Sequence, residues 1–245
     1  MKKPVAYFFL LAQLIPGTVF AGDYEIVRGY GREVCEAFLK NLNSFPQEPP
    51  MVCERKLNPK FPEFTRPDWH PLDPLQYREL VRQIDRQIYR LETEEQEKKF
   101  EKMSETLERR VQEKHIMLSI AQFDIDMDNV PDYVLRVEYG IHSCDATDAL
   151  TYGNPGGVRL FILTADQSQI DLKRTNLVLP VHFGRPELFI YKGQTYLSIW
   201  SGGVDYNNRP PTLEGGQILI YTPVPLPGRQ PCTYDYARTS DRRQP

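Results

Sequence analysis

The pattern of apolar and polar positions divides the chain into three stretches of different period. Glu25 to Leu42 carries Val27, Val34, Ala37, Phe38 and Leu42 at loosely helical spacing. Tyr77, Val81, Ile84, Ile88 and Leu91 recur at three- and four-residue intervals, and Phe100, Met103, Leu107 and Val111 repeat the pattern, so both runs predict one-sided helices. Asp73 and Pro74 offer a cap and a first helical residue. The joining residues 92–99 are polar but contain neither Gly nor Pro, which leaves one long helix or a helical hairpin open. Past His115 the period shortens. Strands are expected at 116–123, 133–139, 158–164, 177–183, 188–191, 194–200 and 217–221. Lys192-Gly193 makes 188–200 a hairpin, and Gly153 to Gly157, Ser201-Gly202-Gly203 and Asn207 to Pro211 read as loops.

These elements predict an α+β fold in which an amino-terminal helical segment precedes an antiparallel β-rich domain. Residues 22–73 form a Pro-rich segment, 74–115 the helical segment, 116–237 the β-rich domain and 238–245 a polar tail. Residues 1–21 stand apart. Lys2 and Lys3 precede an apolar run from Val5 to Ile15, and Val19 and Ala21 supply small residues before a cut, so this segment is expected to be a secretory signal. No run is long enough to predict a transmembrane helix. The product is therefore expected to be periplasmic or secreted.

An oxidising compartment favours disulfides for the four cysteines. Of three possible connectivities, Cys35 with Cys53 and Cys144 with Cys232 is preferred, because each bridge then closes within one segment. Composition adds exclusions. The chain is 40% hydrophobic and 26% charged, and 30 basic residues face 33 acidic ones, so a broad nucleic-acid surface is not expected. Phosphate-cradling and dinucleotide-binding glycine motifs are absent. Ser201 lacks the first glycine of a nucleophile elbow, since Ile199 stands there. His70, His115, His142 and His182 show no ligand spacing, and Trp69, Trp200, Tyr206 and Tyr221 read as core or rim before they read as a sugar-stacking surface.

One stretch carries chemistry. Between two expected strands, Asp124, Asp126, Asp128 and Asp132 occupy loop positions 1, 3, 5 and 9, with the Val130 carbonyl at position 7. Carboxylates so crowded repel one another unless a cation intervenes, and hard oxygen donors in this number suit Ca²⁺. Asn129 stands where such loops place glycine and tolerates the left-handed backbone. An EF-hand does not fit, because position 12 is Leu135 and the flanks are strands.

A strand, this D-x-D-x-D loop and a second strand, residues 120–139, resemble the calcium hairpin of FG-GAP and VCBS repeats. The resemblance implies Ca²⁺ held by Asp124, Asp126, Asp128, Asp132 and the Val130 carbonyl, within a propeller-like fragment or a single borrowed hairpin. The expectation is thus an exported, calcium-stabilised binding protein with a protein or glycan partner in the cell envelope or outside the cell. The alternative is a periplasmic or extracellular hydrolase using the Asp124 to Asp132 carboxylates, with His142 nearby.

Overall fold

The structure is a computed structural model that describes residues 23–44, 57–140, 157–179, 185–205, 212–223 and 231–237. The signal-like segment, Cys53, His142, Cys144, His182, Tyr206 and the tail lie outside these residues.

Two antiparallel sheets dominate. The first has the order β1-β10-β9-β8-β7-β2, built from β1 (Asp23–Arg28), β2 (Phe64–Thr65), β7 (Arg185–Tyr191), β8 (Gln194–Asp205), β9 (Thr212–Tyr221) and β10 (Cys232–Ala237). The second has the order β3-β4-β5-β6, built from β3 (His70–Leu72), β4 (Ile116–Phe123), β5 (Asp132–Tyr139) and β6 (Gly157–Ile162). Five helices accompany them among the described residues: α1 (Glu33–Leu42), α2 (Arg78–Tyr89), α3 (Glu94–Met103), α4 (Leu107–Gln112) and α5 (Leu172–Val178).

Alternation along the strands explains the layering, because successive side chains leave a sheet on opposite faces. Leu135 and Val137 of β5 face α2, where they meet Ile84, Leu80 and Val81. Val134, Leu160 and Ile162 face the first sheet, where they meet Leu188, Leu197 and Ile199. The far side of the first sheet, with Phe189, Tyr191, Ile218 and Tyr234, is covered by Val34 and Phe38 of α1. Each sheet thus has a helix on one face and the other sheet on its opposite face.

The chain is β-rich, but the expected amino-terminal helical segment is not what the fold contains. The first described element is β1, which pairs with the last strand, β10, Tyr24 opposite Tyr236 and Ile26 opposite Tyr234. Tyr24 and Ile26 are buried while Val27 is exposed, so residues 24–27 follow a period of two that the looser helical reading had absorbed. Gly29 at φ +100 ends the strand, and a Cβ there would stand 2.2 Å from the Pro231 carbonyl. Only glycine fits so close an approach.

The pairing of β1 with β10 also overturns the preferred disulfides. Cys35, just inside α1, is bonded to Cys232 at the start of β10, with Cα atoms 5.6 Å apart and 197 residues between them. Neither Cys35–Cys53 nor Cys144–Cys232 is therefore formed. Proximity along the sequence misled, because a sheet whose first and last strands are neighbours makes its most distant cysteines adjacent.

The helical stretch is broken into three. Arg90 takes the left-handed conformation at φ 53 and ends α2. Thr93 then opens α3 with a capping box, its side chain accepting from the Gln96 N–H while Gln96 reaches back to the Thr93 N–H. Thr106 caps α4 by its side chain alone, accepting from the Arg109 N–H. Asp73 caps a turn instead of a helix, accepting from the Leu75 N–H at 2.9 Å. Two further differences lie in the β-rich half. Residues 177–178 end a helix where a strand was expected, because Asp171 caps α5 and Thr175 and Val178 recur on its buried side. Ser201 to Gly203 is a register shift inside β8 and not a loop. Among the described residues no helix is long and apolar enough to cross a membrane.

Candidate metal centre

β4 and β5 form a hairpin in strict register from Ile116–Tyr139 to Phe123–Asp132, so residues 124–131 are forced into a compact loop at its end. Ile125 is fully buried in the layer between the sheets and anchors the loop from within. The Thr195 hydroxyl on β8 donates to the Asp124 carbonyl at 2.9 Å, which fixes the loop's entry against the first sheet.

The loop is wound by its own carboxylates. Asp124 accepts from the N–H groups of Asp128 at 3.1 Å and Asn129 at 2.8 Å. Asp128 accepts from the Val130 N–H at 2.8 Å, and Asp132 from the Ile125 N–H at 3.4 Å. Met127 and Asn129 take left-handed conformations, φ 63 and φ 68, which tighten the turn of the loop. Asn129 is thus the residue that carries the backbone where glycine would be usual.

One carboxylate oxygen from each of Asp124, Asp126 and Asp128 lies within 4.8 Å of the other two. Calcium–oxygen distances run from about 2.3 to 2.6 Å, so two ligands of one ion stand at most about 5 Å apart, and the three carboxylates meet that pairwise limit. The expected fourth aspartate, Asp132, is not grouped with these three but lies beside Asp126 on the same arginine. Asp132 is directed to Arg174 of α5, whose Nη1 is in close contact with Asp132 Oδ1. Val130 is exposed at the loop's apex.

Arg174 is the residue that sequence reasoning missed. Its Nη2 stands 2.8 Å from Asp126 Oδ2 and 3.7 Å from Asp128 Oδ2, so a single guanidinium faces three of the four aspartates. The cation demanded by the acidic run is thus partly supplied by the chain itself. Burial pushes the Asp132 carboxyl above its ordinary pKa, against the pull of Arg174. For Arg174, burial opposes the charge, but Asp126 and Asp132 outweigh it and hold the guanidinium firmly protonated. Asp126 Oδ1 remains buried without a hydrogen-bond partner. No nearby sequence signal marks Arg174, which is placed by the Asp171 side chain accepting from its N–H at 2.9 Å as α5 begins.

A second cluster, Glu105, Glu113 and His115, also gathers its ligand atoms within 4.8 Å. There, His115 Nδ1 lies 2.8 Å from Glu105, and Arg109 pairs with both glutamates at 3.4 and 2.9 Å. Arg109 answers one of the two glutamate charges there, and both glutamates already have partners. The chain matches no protein-family model, and neither a curated protein nor a solved structure matches it.

Proposed function

We propose that this is an exported, calcium-stabilised interaction protein whose cation site is the loop from Asp124 to Asp132. The observation that carries the reading is the surplus of negative charge at the loop. Asp124, Asp126 and Asp128 present oxygens close enough for one ion, Arg174 answers only part of their charge, and Asp126 Oδ1 is buried without a partner. Bound calcium would be structural, since it would neutralise and pin the β4–β5 loop, whose entry Thr195 fixes against the first sheet. Export rests on the signal-like residues 1–21 and on the disulfide that joins α1 to β10.

A melting experiment tests it. Calcium at about a hundred times its dissociation constant adds about 2.7 kcal/mol, which for a chain of this size raises Tm by roughly 5 to 10 °C, and EDTA removes the gain. An unchanged melting curve together with no heat of calcium binding would reject the reading.

A further inference from the structure

Among the described residues β6 is an edge strand, and the geometry at its open side is specific. Its register with β5, together with the Leu163 N–H to Tyr133 carbonyl bond at 2.9 Å, assigns the backbone groups of Phe161 and Arg159 to β5. Antiparallel pairing alternates, so the N–H and C=O of Val158, Leu160 and Ile162 point outward. At Ile162 both are taken: the N–H donates to the Thr175 hydroxyl at 2.9 Å, and the carbonyl accepts from the Asp171 N–H at 2.8 Å. At Leu160 no described group takes either, although the residue is only 8% exposed. Buried backbone groups are nearly always paired, so among the described residues this position is short of a partner.

The same edge opens into a cavity of about 320 Å³ between the last turn of α2 and α5. Ile88, Phe161, Leu172 and Leu179 give it apolar walls, and Arg90 and Arg159 line it with no acidic residue among them. Neither arginine has an ion-pair partner among the described residues, in a chain where acids outnumber bases 33 to 30.

We infer that this cleft receives an extended acidic segment of a partner polypeptide, added as a short strand to the edge of β6. Leu160 offers a donor and an acceptor side by side, which an extended backbone satisfies at once. A bare anion would satisfy only the donor, and it would face the negative carboxy-terminal end of α2. Carboxylate side chains on the segment would reach Arg90 and Arg159. Because α5 already occupies the edge at Ile162, pairing is confined to Leu160 and Val158, and a dissociation constant of about 0.1 to 1 mM is expected for a single segment. The inference takes up the interaction part of the proposed function and is independent of its cation part.

The probe is the peptide Glu-Val-Glu-Val-Glu, blocked at both ends and titrated into the isotopically labelled folded protein, once in EDTA and once in excess calcium. The expected result is a saturable shift of the Leu160 amide in both conditions. N-methylation of the central glutamate should weaken binding about tenfold, since it removes a backbone donor without altering the protein. Replacing the glutamates by lysine should abolish binding, and Arg159→Gln should weaken it about fivefold with the Leu160 shift retained. Three results would overturn the inference: no saturable shift, equal binding of the lysine peptide, or indifference to N-methylation. A Leu160 amide already protected from exchange in the free protein, with no peptide binding, would overturn it too, by showing that the chain fills its own edge.

Discussion

Arg110 and Arg174 both carry a buried or half-buried guanidinium among aspartates, and they solve different problems. Arg110 on α4 meets one carboxylate, Asp85 on α2, through two parallel contacts of 2.8 Å, and both side chains are nearly enclosed. Donors, acceptors and charges match there, and Asp85 more than offsets the burial that opposes the Arg110 charge. Arg174 meets Asp126, Asp128 and Asp132 with one charge and leaves Asp126 Oδ1 unpartnered. A balanced pair has nothing further to bind. An unbalanced one retains negative charge, and that surplus separates a candidate cation site from an internal brace.

The largest effect should come from breaking the balanced pair. Arg110→Met leaves Asp85 buried without its partner, and the loss should be about 3 to 5 kcal/mol in denaturant unfolding. Replacing both, Asp85→Leu with Arg110→Met, should recover most of it, because two apolar groups of similar volume suit the interface between α2 and α4. If the double variant were as unstable as the single one, Arg110 would be more than a countercharge for Asp85.

Arg174→Gln should act in two directions, which sharpens the comparison. Without calcium it removes the only described cation at the loop and should lower stability by about 1 to 2 kcal/mol, less than Arg110→Met because Arg174 is about one-third exposed. With the positive charge gone, calcium should bind about tenfold more tightly, as read by calorimetry. A variant destabilised in EDTA yet rescued beyond the native protein by calcium would fit a site shared between an arginine and an ion. Weaker calcium binding would mean that Arg174 organises the loop rather than competing for it.

The same contrast explains what the sequence made legible. The strands flanking the acidic loop, their apolar alternation and the left-handed role of Asn129 are local properties, so spacing alone conveys them. The three-carboxylate cluster follows from the same run, because alternate residues of one tight loop turn to one side. Arg174 lies more than forty residues beyond Asp132 and reaches the loop only because α5 packs under β6, where Thr175 bonds Ile162. Asp85 and Arg110 are single charges on apolar helical faces, and nothing in either helix names the other. Cys35 and Cys232 are joined by the pairing of the outermost described strands, a fact of topology that no spacing rule contains. With these two bonded, Cys53 and Cys144 are the only thiols left to each other, and intact mass before and after reduction should show whether two bridges or one form.

The smallest effect expected concerns a third kind of ion pair, one that holds a helix without enclosing it. α3 buries no residue; it is tied to α2 by Glu97, which lies 3.3 Å from Arg82 and 2.6 Å from Arg86, and by the ring of Phe100 against Tyr89 at 4.5 Å. The Arg86 hydrogen bond holds the Glu97 carboxyl below its ordinary pKa. A depressed carboxyl contributes its stability above the unfolded value, about 4.3, and loses it as the pH falls through the folded one. Acidification from about pH 5 to pH 3 should therefore speed amide exchange in α3 first, while α2, with Ile84 fully buried and Asp85 bonded to Arg110, stays protected. Glu97→Gln should give α3 that faster exchange already at neutral pH and abolish its acid step. If α2 and α3 instead open together, the link between them is the Phe100 and Tyr89 contact and not the charge on Glu97.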